Sequence, residues 1–442
     1  MRFFENLFQR QPNNPNDPDI RFGRYSDANK SIEQFEQWQL ANSYYEKEQF
    51  LPAYVSFLKY LNDPKEKNVE YKLEENALNF ELYQGSQKLY GTVTEDHIRA
   101  EAQIIYAQDF PTDLLRRITE KTFELEHSRF AIDKEGHLAV VFDAPMSDAS
   151  PYKVYYALKE LALQADKMDD LLLDEHQGFD AVDQSHLTDL PDNEKHAKYA
   201  FITQAIKATL EYVDSNPFGK DSYPGGIAYV YLDLLYRIDY LTKPEGFLME
   251  YLERMHRLYF AADGRSQTEK NHALRLGFAQ LLERPQEDYF KEFYTVPSTF
   301  GITSVSNHDH ITAIIDSELP KMDWYLRNGH DRVALAIPNY ITGHALFNYS
   351  HSEPEQALLH LYFKIIEEDY FKSLGFQVNF RKGPNNFLNG KSIKKAIEQV
   401  VDKYSYDFPA LDPDLHKLDF QSIPEFAHSY LLMVRDLKIT ER

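Results

Sequence analysis

The spacing of apolar residues sets one alternating region of this chain apart from the rest. Between Asn79 and Phe142 apolar residues recur at every second position in short runs, interrupted by one helical stretch; beyond Asp192 they recur at every third or fourth. A period of two lines one face of a strand, and a period near 3.6 lines one stripe of a helix. A chain written this way is α+β: an N-terminal small antiparallel-sheet module with packed helices, followed by an all-α helical-array domain.

Turn chemistry divides the alternating region into hairpins. Phe80 and Leu82, then Leu89, Tyr90 and Val93, flank Gln84-Gly85-Ser86. Arg129–Asp133 and His137–Asp143 flank Lys134-Glu135-Gly136. Glycine in so short a connection supplies the left-handed backbone that a tight hairpin needs. His97–Ala107 alternates as a third strand. Asp109-Phe-Pro-Thr-Asp opens a helix to about Glu126, expected to turn Phe110, Leu114, Leu115, Ile118 and Phe123 inward. Pro151 starts another helix, from Tyr152 to about Asp170.

Ahead of the strands, Ser31 and Gln34 have capping-box spacing and open a helix through Glu48. A second helix, with Pro52 in its first turn, runs to about Leu61. Leu40-Ala41-x-x-Tyr44, Ala53-x-x-x-Phe57 and Pro64 resemble one tetratricopeptide-type hairpin, with small residues at the helix crossing and proline at the exit. Phe3, Phe4, Leu7 and Phe8 share a helical face, and Pro12, Pro15 and Pro18 follow. Ten residues are too few for a stable free helix, so residues 1–29 are expected to be a flexible segment that packs back onto the body.

The order of helices and strands, together with Arg129-Phe-Ala-Ile-Asp, Lys-Glu-Gly and His137-Leu-Ala-Val-Val-Phe-Asp, resembles the type III secretion chaperone-like fold and its YbjN-like relatives. The resemblance covers about residues 30–175. It implies a small, often dimeric module that holds a partner polypeptide and performs no chemistry. No functional residue carries over position by position.

Charge marks the boundary. The net charge is −22, and Asp166–Glu194 holds ten acidic residues against the single Lys167. Such a stretch predicts a solvated connector, giving a module at 30–175, an acidic linker at 176–195 and a helical domain at 196–442. Expected helices of that domain are Glu194–Asp214, Gly226–Thr242, Pro244–Ala262, Ser266–Arg284, His310–Asn328, Glu353–Ser373, Ser392–Tyr404 and Ile423–Leu437. Aromatic residues make up 14% of the chain, and faces such as Phe247, Tyr251, Met255 and Leu358, Leu361, Tyr362, Ile365 read as core.

Chemistry is sparse. The absence of cysteine removes thiol nucleophiles, disulfides and cysteine metal sites. His308-Asp309-His310 is the best metal candidate, with Asp316 and Glu318 farther along, although Asn307 or Asp309 as a helix cap explains the motif equally. His344, His351, His330 and His360 read as hydrogen-bonded structural histidines. Gly383–Ser392 looks like a phosphate loop but places six residues between its glycines where four are needed. The basic stretch from Arg381-Lys382 to Lys394-Lys395 reads as a solvated helix start.

The functional expectation is a non-catalytic, chaperone-like module that holds a partner protein or peptide, with a homodimer as the other association. The alternatives are a metal-dependent hydrolase built on His308 and His310, or a helical scaffold. Strong acidity argues against nucleic acid, and no apolar run reaches the length of a membrane span. A cytoplasmic location and no cofactor are expected.

Overall fold

In the computed structural model of the protein, residues 17–176, 178–215, 218, 223–383 and 387–442 are described. The apolar face expected over Phe3–Phe8 and residues 384–386 of the glycine-flanked loop lie outside them. Six strands form one antiparallel sheet in the order β1-β2-β3-β4-β6-β5: β1 Val69–Leu73, β2 Leu78–Gln84, β3 Gln87–Val93, β4 His97–Tyr106, β5 Arg129–Ile132 and β6 His137–Pro145. Asp180–Ala181 adds a short pairing to β4.

Alternation decides the two faces. Register pairs Leu78 with Val93, Leu82 with Leu89, Gly91 with Ala100 and Ala100 with Phe142, so these residues share the inner face. Three helices are packed around this face: α1 Ile32–Tyr45, α2 Phe50–Leu61 and, between β6 and the helical half, α4 Pro151–Glu175. The α4 stripe of Val154, Ala157, Leu158, Leu161 and Ala165 is fully buried on the sheet. The Ser31–Gln34 capping box is formed with both of its hydrogen bonds. Helix α3, Thr112–Thr122, covers less than expected. It buries Leu114 and Ile118, but Leu115 is exposed and Phe123, just beyond the last turn, is 89% exposed.

The first part of the acidic stretch differs from a solvated connector, whereas the described residues of 176–193 are exposed or half-buried. Its first ten residues continue α4, and Asp166 and Asp169 are buried there. Asp166 Oδ1 accepts from the Ser86 N–H at 2.9 Å, and Asp169 Oδ2 accepts from Ser86 Oγ at 2.6 Å. The two carboxyls thus hold the β2–β3 turn, where Gly85 has φ +53° and a Cβ would overlap Asp166. Beyond α4, Thr188–Asp189 pairs with Tyr294–Thr295 of the helical half.

That half contains α5 Asp192–Asp214, α6 Pro224–Thr242, α7 Gly246–Phe260, α8 Gln267–Glu283, α9 Gln286–Lys291, α10 His308–Glu318, α11 Met322–Arg327, α12 Asp331–Asn348, α13 Glu353–Ile366, α14 Glu368–Ser373, α15 Gly390–Tyr404 and α16 Ile423–Arg435. Two expected helices are split. Pro320 sits in a 3₁₀ turn between α10 and α11, and Glu367 breaks α13 from α14. Helices α6 and α12 are buried almost all round and pack on each other. Gly343 permits that approach, because a Cβ there would overlap the Cβ of Tyr236.

The two halves interlock. Phe300, from the loop before α10, lies in the core of the sheet module. The adjacent Thr299 donates its hydroxyl to the Tyr83 carbonyl at 2.7 Å, and Gln84 Oε1 accepts from the Thr299 and Phe300 N–H groups. Residues 17–29, expected to be a flexible leader, are an irregular strap laid across both halves. Side-chain bonds from Asp17, Arg24 and Asp27 fix it in place.

Candidate functional site

The helices leave the other face of the sheet open. Outward side chains come from alternate positions: Glu70 and Lys72 on β1, Glu81 on β2, Tyr90 on β3, Arg99 and Glu101 on β4. They line a shallow concavity of about 550 Å³ that follows the twist of the sheet. Arg99 donates to Glu101 at 2.8 Å, and Thr92 donates to Asn79 at 2.9 Å. Outside the concavity, the acidic segment is held to β2 and β3. Lys88 bonds Asp183 and Ser185, and the His186 ring packs on Tyr83, 5.3 Å between centroids. Burial, with Glu70 and Glu81 nearby, pushes the Tyr83 phenol up to about 12.

At one end the concavity reaches β1, which is a terminal strand with no strand on its outer side among the described residues. Register places Tyr71 opposite Phe80 and Leu73 opposite Leu78, on the inner side of the sheet. Both nevertheless remain exposed, at 41% and 55%. The edge therefore offers unpaired main-chain groups, an apolar ledge on one side, and Glu70 and Lys72 on the other.

The candidate metal histidines do not converge on a site. Asn307 caps α10 by accepting from the His310 N–H, as the capping alternative proposes. His308 uses both ring nitrogens, with Nδ1 2.7 Å from Glu355 Oε1 and Nε2 3.1 Å from the Arg435 carbonyl. The Glu355 hydrogen bond holds the His308 imidazole above its usual value, against the effect of burial. This histidine ties α10 to α13 and α16. His310 turns instead to Tyr349, 4.3 Å between centroids, with its Nε2 buried and unbonded. His344 lies among the rings of Tyr236, Phe260, Tyr340 and Tyr349, and burial together with His310 pushes it down to about 4. His351 Nε2 bonds the Ala345 carbonyl, and His360 Nδ1 bonds Tyr240.

Among the described residues, one set of ligand atoms lies close enough to share a cation: Asp133, Glu135 and His137, on the β5–β6 turn. Asp133 is engaged in building that turn. Its Oδ1 accepts from the Glu135 and His137 N–H groups at 2.8 and 2.9 Å, and its Oδ2 lies 2.9 Å from His137 Nδ1. Burial opposes its ionisation, yet these hydrogen bonds hold the carboxyl below its usual range. Lys391 and Lys395 are exposed on the first turns of α15, but Arg381 of the same basic stretch is largely buried and donates to the Ile365 and Ile366 carbonyls.

Sequence reasoning missed β1. Its signal was the alternation Val69-Glu-Tyr-Lys-Leu73, too short to stand out beside the hairpins. No protein-family model and no curated protein matches the chain. Among the described residues, no helix is long and apolar enough to cross a membrane.

Proposed function

We propose that the chain is a non-catalytic binding module that holds an extended segment of a partner protein by adding it as a strand beside β1. The observation that carries this reading is the terminal position of β1 with Tyr71 and Leu73 exposed on its inner side. An added strand satisfies main-chain donors and acceptors, and alternate side chains supply the selectivity. Here the inward residues of the incoming segment would rest on Tyr71 and Leu73. Its outward residues would meet Glu70 and Lys72 at the rim of the concavity. The charged pair also guards the edge against indiscriminate pairing, as lysine commonly does on terminal strands. The resemblance to secretion chaperones points the same way, since those modules hold polypeptides.

A photo-crosslinking amino acid at position 71, in the full chain and in its native cell, tests the proposal. Crosslinks should fall on a segment that alternates apolar and polar residues, and Leu73→Lys should reduce their yield at least about fivefold. The same probe at Tyr406, an exposed residue of the helical half, is the control. Equal capture at both positions, or capture indifferent to Leu73→Lys, would overturn the assignment.

A further inference from the structure

Residues 17–30 cross the molecule without helix or strand, and their few main-chain bonds to the body include one from the Gly23 N–H to the Tyr240 carbonyl at 2.8 Å. What holds the strap is a series of side-chain pockets. Phe22 enters a ring of His360, Phe371 and Phe376, with centroids 5.0, 5.1 and 5.9 Å away. Two residues on, Arg24 is 8% exposed. Its Nε and Nη2 reach Asp239 at 3.0 and 2.8 Å, its Nη1 reaches Glu253 at 2.8 Å, and its guanidinium lies 3.8 Å from the centroid of Phe347. A fork matched to a carboxylate and stacked on a ring is an arginine site that lysine would not fill equally.

Gly23, between them, has φ +69°, and a Cβ there would enter the Tyr240 ring. The backbone can pass only as glycine. Farther on, Asp27 accepts from Tyr155 at 2.6 Å and from the Gly301 N–H at 3.0 Å, so the same strap spans both halves. The pockets belong entirely to the body. Asp239 and Glu253 face each other across the groove, and the arginine that bridges them comes from the strap.

We infer that the groove beneath residues 17–30 is a peptide site, filled in cis by the chain's own strap, that accepts in trans the same strap, with its Phe22-Gly23-Arg24, from a second copy of this chain. The site is separate from the β1 edge and stands or falls independently of it. In cis the strap competes at the high effective concentration of a tethered ligand, so the intact chain presents the site closed. A competing segment that carries the same triplet displaces the strap and loosens the attachment between the halves.

The test uses the full chain and a fluorescent synthetic peptide of residues 17–30, followed by anisotropy. The wild-type chain should bind it weakly, and Arg24→Ala, whose own strap no longer fills the carboxylate pocket, at least about tenfold more tightly. Peptides carrying Arg24→Ala or Gly23→Ala should lose that gain, as should a chain that adds Asp239→Asn. If Arg24→Ala does not fold by circular dichroism, Phe22→Ala, which leaves the ion pairs intact, takes its place in the same comparison. A folded variant that binds no better than wild type overturns the inference, and so does tightening that ignores the arginine or glycine of the peptide. Where the gain is present, sedimentation tests the occupant. Association of the variant with wild-type chain is expected for exchange of the strap between two copies, and peptide binding without association would overturn the second copy as the occupant.

Discussion

Replacing Phe300 by alanine measures how far the two halves behave as one folded unit. The side chain is 1% exposed, packs edge-on against Tyr155 at 5.6 Å between centroids, and comes from the helical half into the core of the sheet module. The hydrogen bonds from Thr299 and the Phe300 N–H to Gln84 use main-chain groups and survive the change. The loss is therefore one of packing, about 3–5 kcal/mol for a buried phenylalanine. With a urea slope of about 3 kcal/mol per molar, 4 kcal/mol lowers the midpoint by about 1.3 M, and by less if so long a chain has a steeper slope. The chain's two tryptophans make the assay selective. Trp38 lies in α1 against Tyr60, and Trp324 lies in α11 beside Tyr223, so Trp38→Phe and Trp324→Phe backgrounds each report one half by fluorescence. Coupling through the 298–301 loop predicts that Phe300→Ala lowers both midpoints together. A Trp38 transition that moves while the Trp324 transition stays in place would refute the coupling, and a shift below about 0.3 M in both would refute the packing magnitude.

Three substitutions test the buried titratable groups. His344 sits near 4 in the folded chain against about 6.5 unfolded, so the unfolded chain binds the extra proton as pH falls and stability drops across that window. His344→Phe removes this penalty and should add about 2 kcal/mol more at pH 5 than at pH 8, read from urea midpoints. Burial, then Asp169 and Glu245, raises the Asp166 carboxyl, so its term falls away as pH rises above the ordinary carboxylate range. Asp166→Asn keeps an acceptor for the Ser86 N–H and should flatten the decline, giving a larger stability gain at pH 8 than at pH 5. His308 is raised by Glu355, so its contribution is complete below about pH 6.5 and is lost as pH climbs through the folded value. His308→Gln should cost about 1.5 kcal/mol at pH 5.5 and less at pH 8.5, and an equal cost at both would show that the charge on His308 contributes nothing.

Local signals carried the sheet and most helices into view, and long-range contacts hid the rest. Gln84-Gly85-Ser86 and Lys134-Glu135-Gly136 announce hairpins because a turn is decided by the residues within it. Helix α12 is not among the helices expected from the sequence, and it carries Pro338 and Gly343, residues that disfavour a helix interior. Both are buried in the helix interior, where Gly343 admits Tyr236 from α6, more than a hundred residues earlier. The inward stripe expected of α3 was too wide, since spacing alone could not show that the sheet ends before Phe123. The strap was illegible for the same reason as α12. Arg24 finds its carboxylates at Asp239 and Glu253, and no local pattern around Phe22-Gly-Arg24 predicts them. Of the candidate site, the alternation of β2, β3 and β4 is legible, but β1 is not among the expected strands, and its place at the end of the sheet depends on which strands pair elsewhere.

The acidity of the chain also takes a different meaning once the acids are placed. A net charge of −22 invites the idea of a basic partner, but much of the negative charge is engaged internally as acceptors for the chain's own backbone and cations. Glu160 takes the N–H groups of Glu126, His127 and Ser128, and Glu368 takes that of Phe380. Asp233 and Glu367 share Arg237, and Asp239 and Glu253 share Arg24. Carboxylates used in this way stiffen turns and seams, where a short acceptor reaches several donors that no strand or helix would pair. Their hydrogen bonds leave the net charge of −22 in place, but these carboxylates are not available for direct contact with a partner. At the β1 edge the main chain has Tyr71 and Leu73 on one side and the opposite charges of Glu70 and Lys72 on the other, so selectivity there comes chiefly from the pattern of the incoming segment.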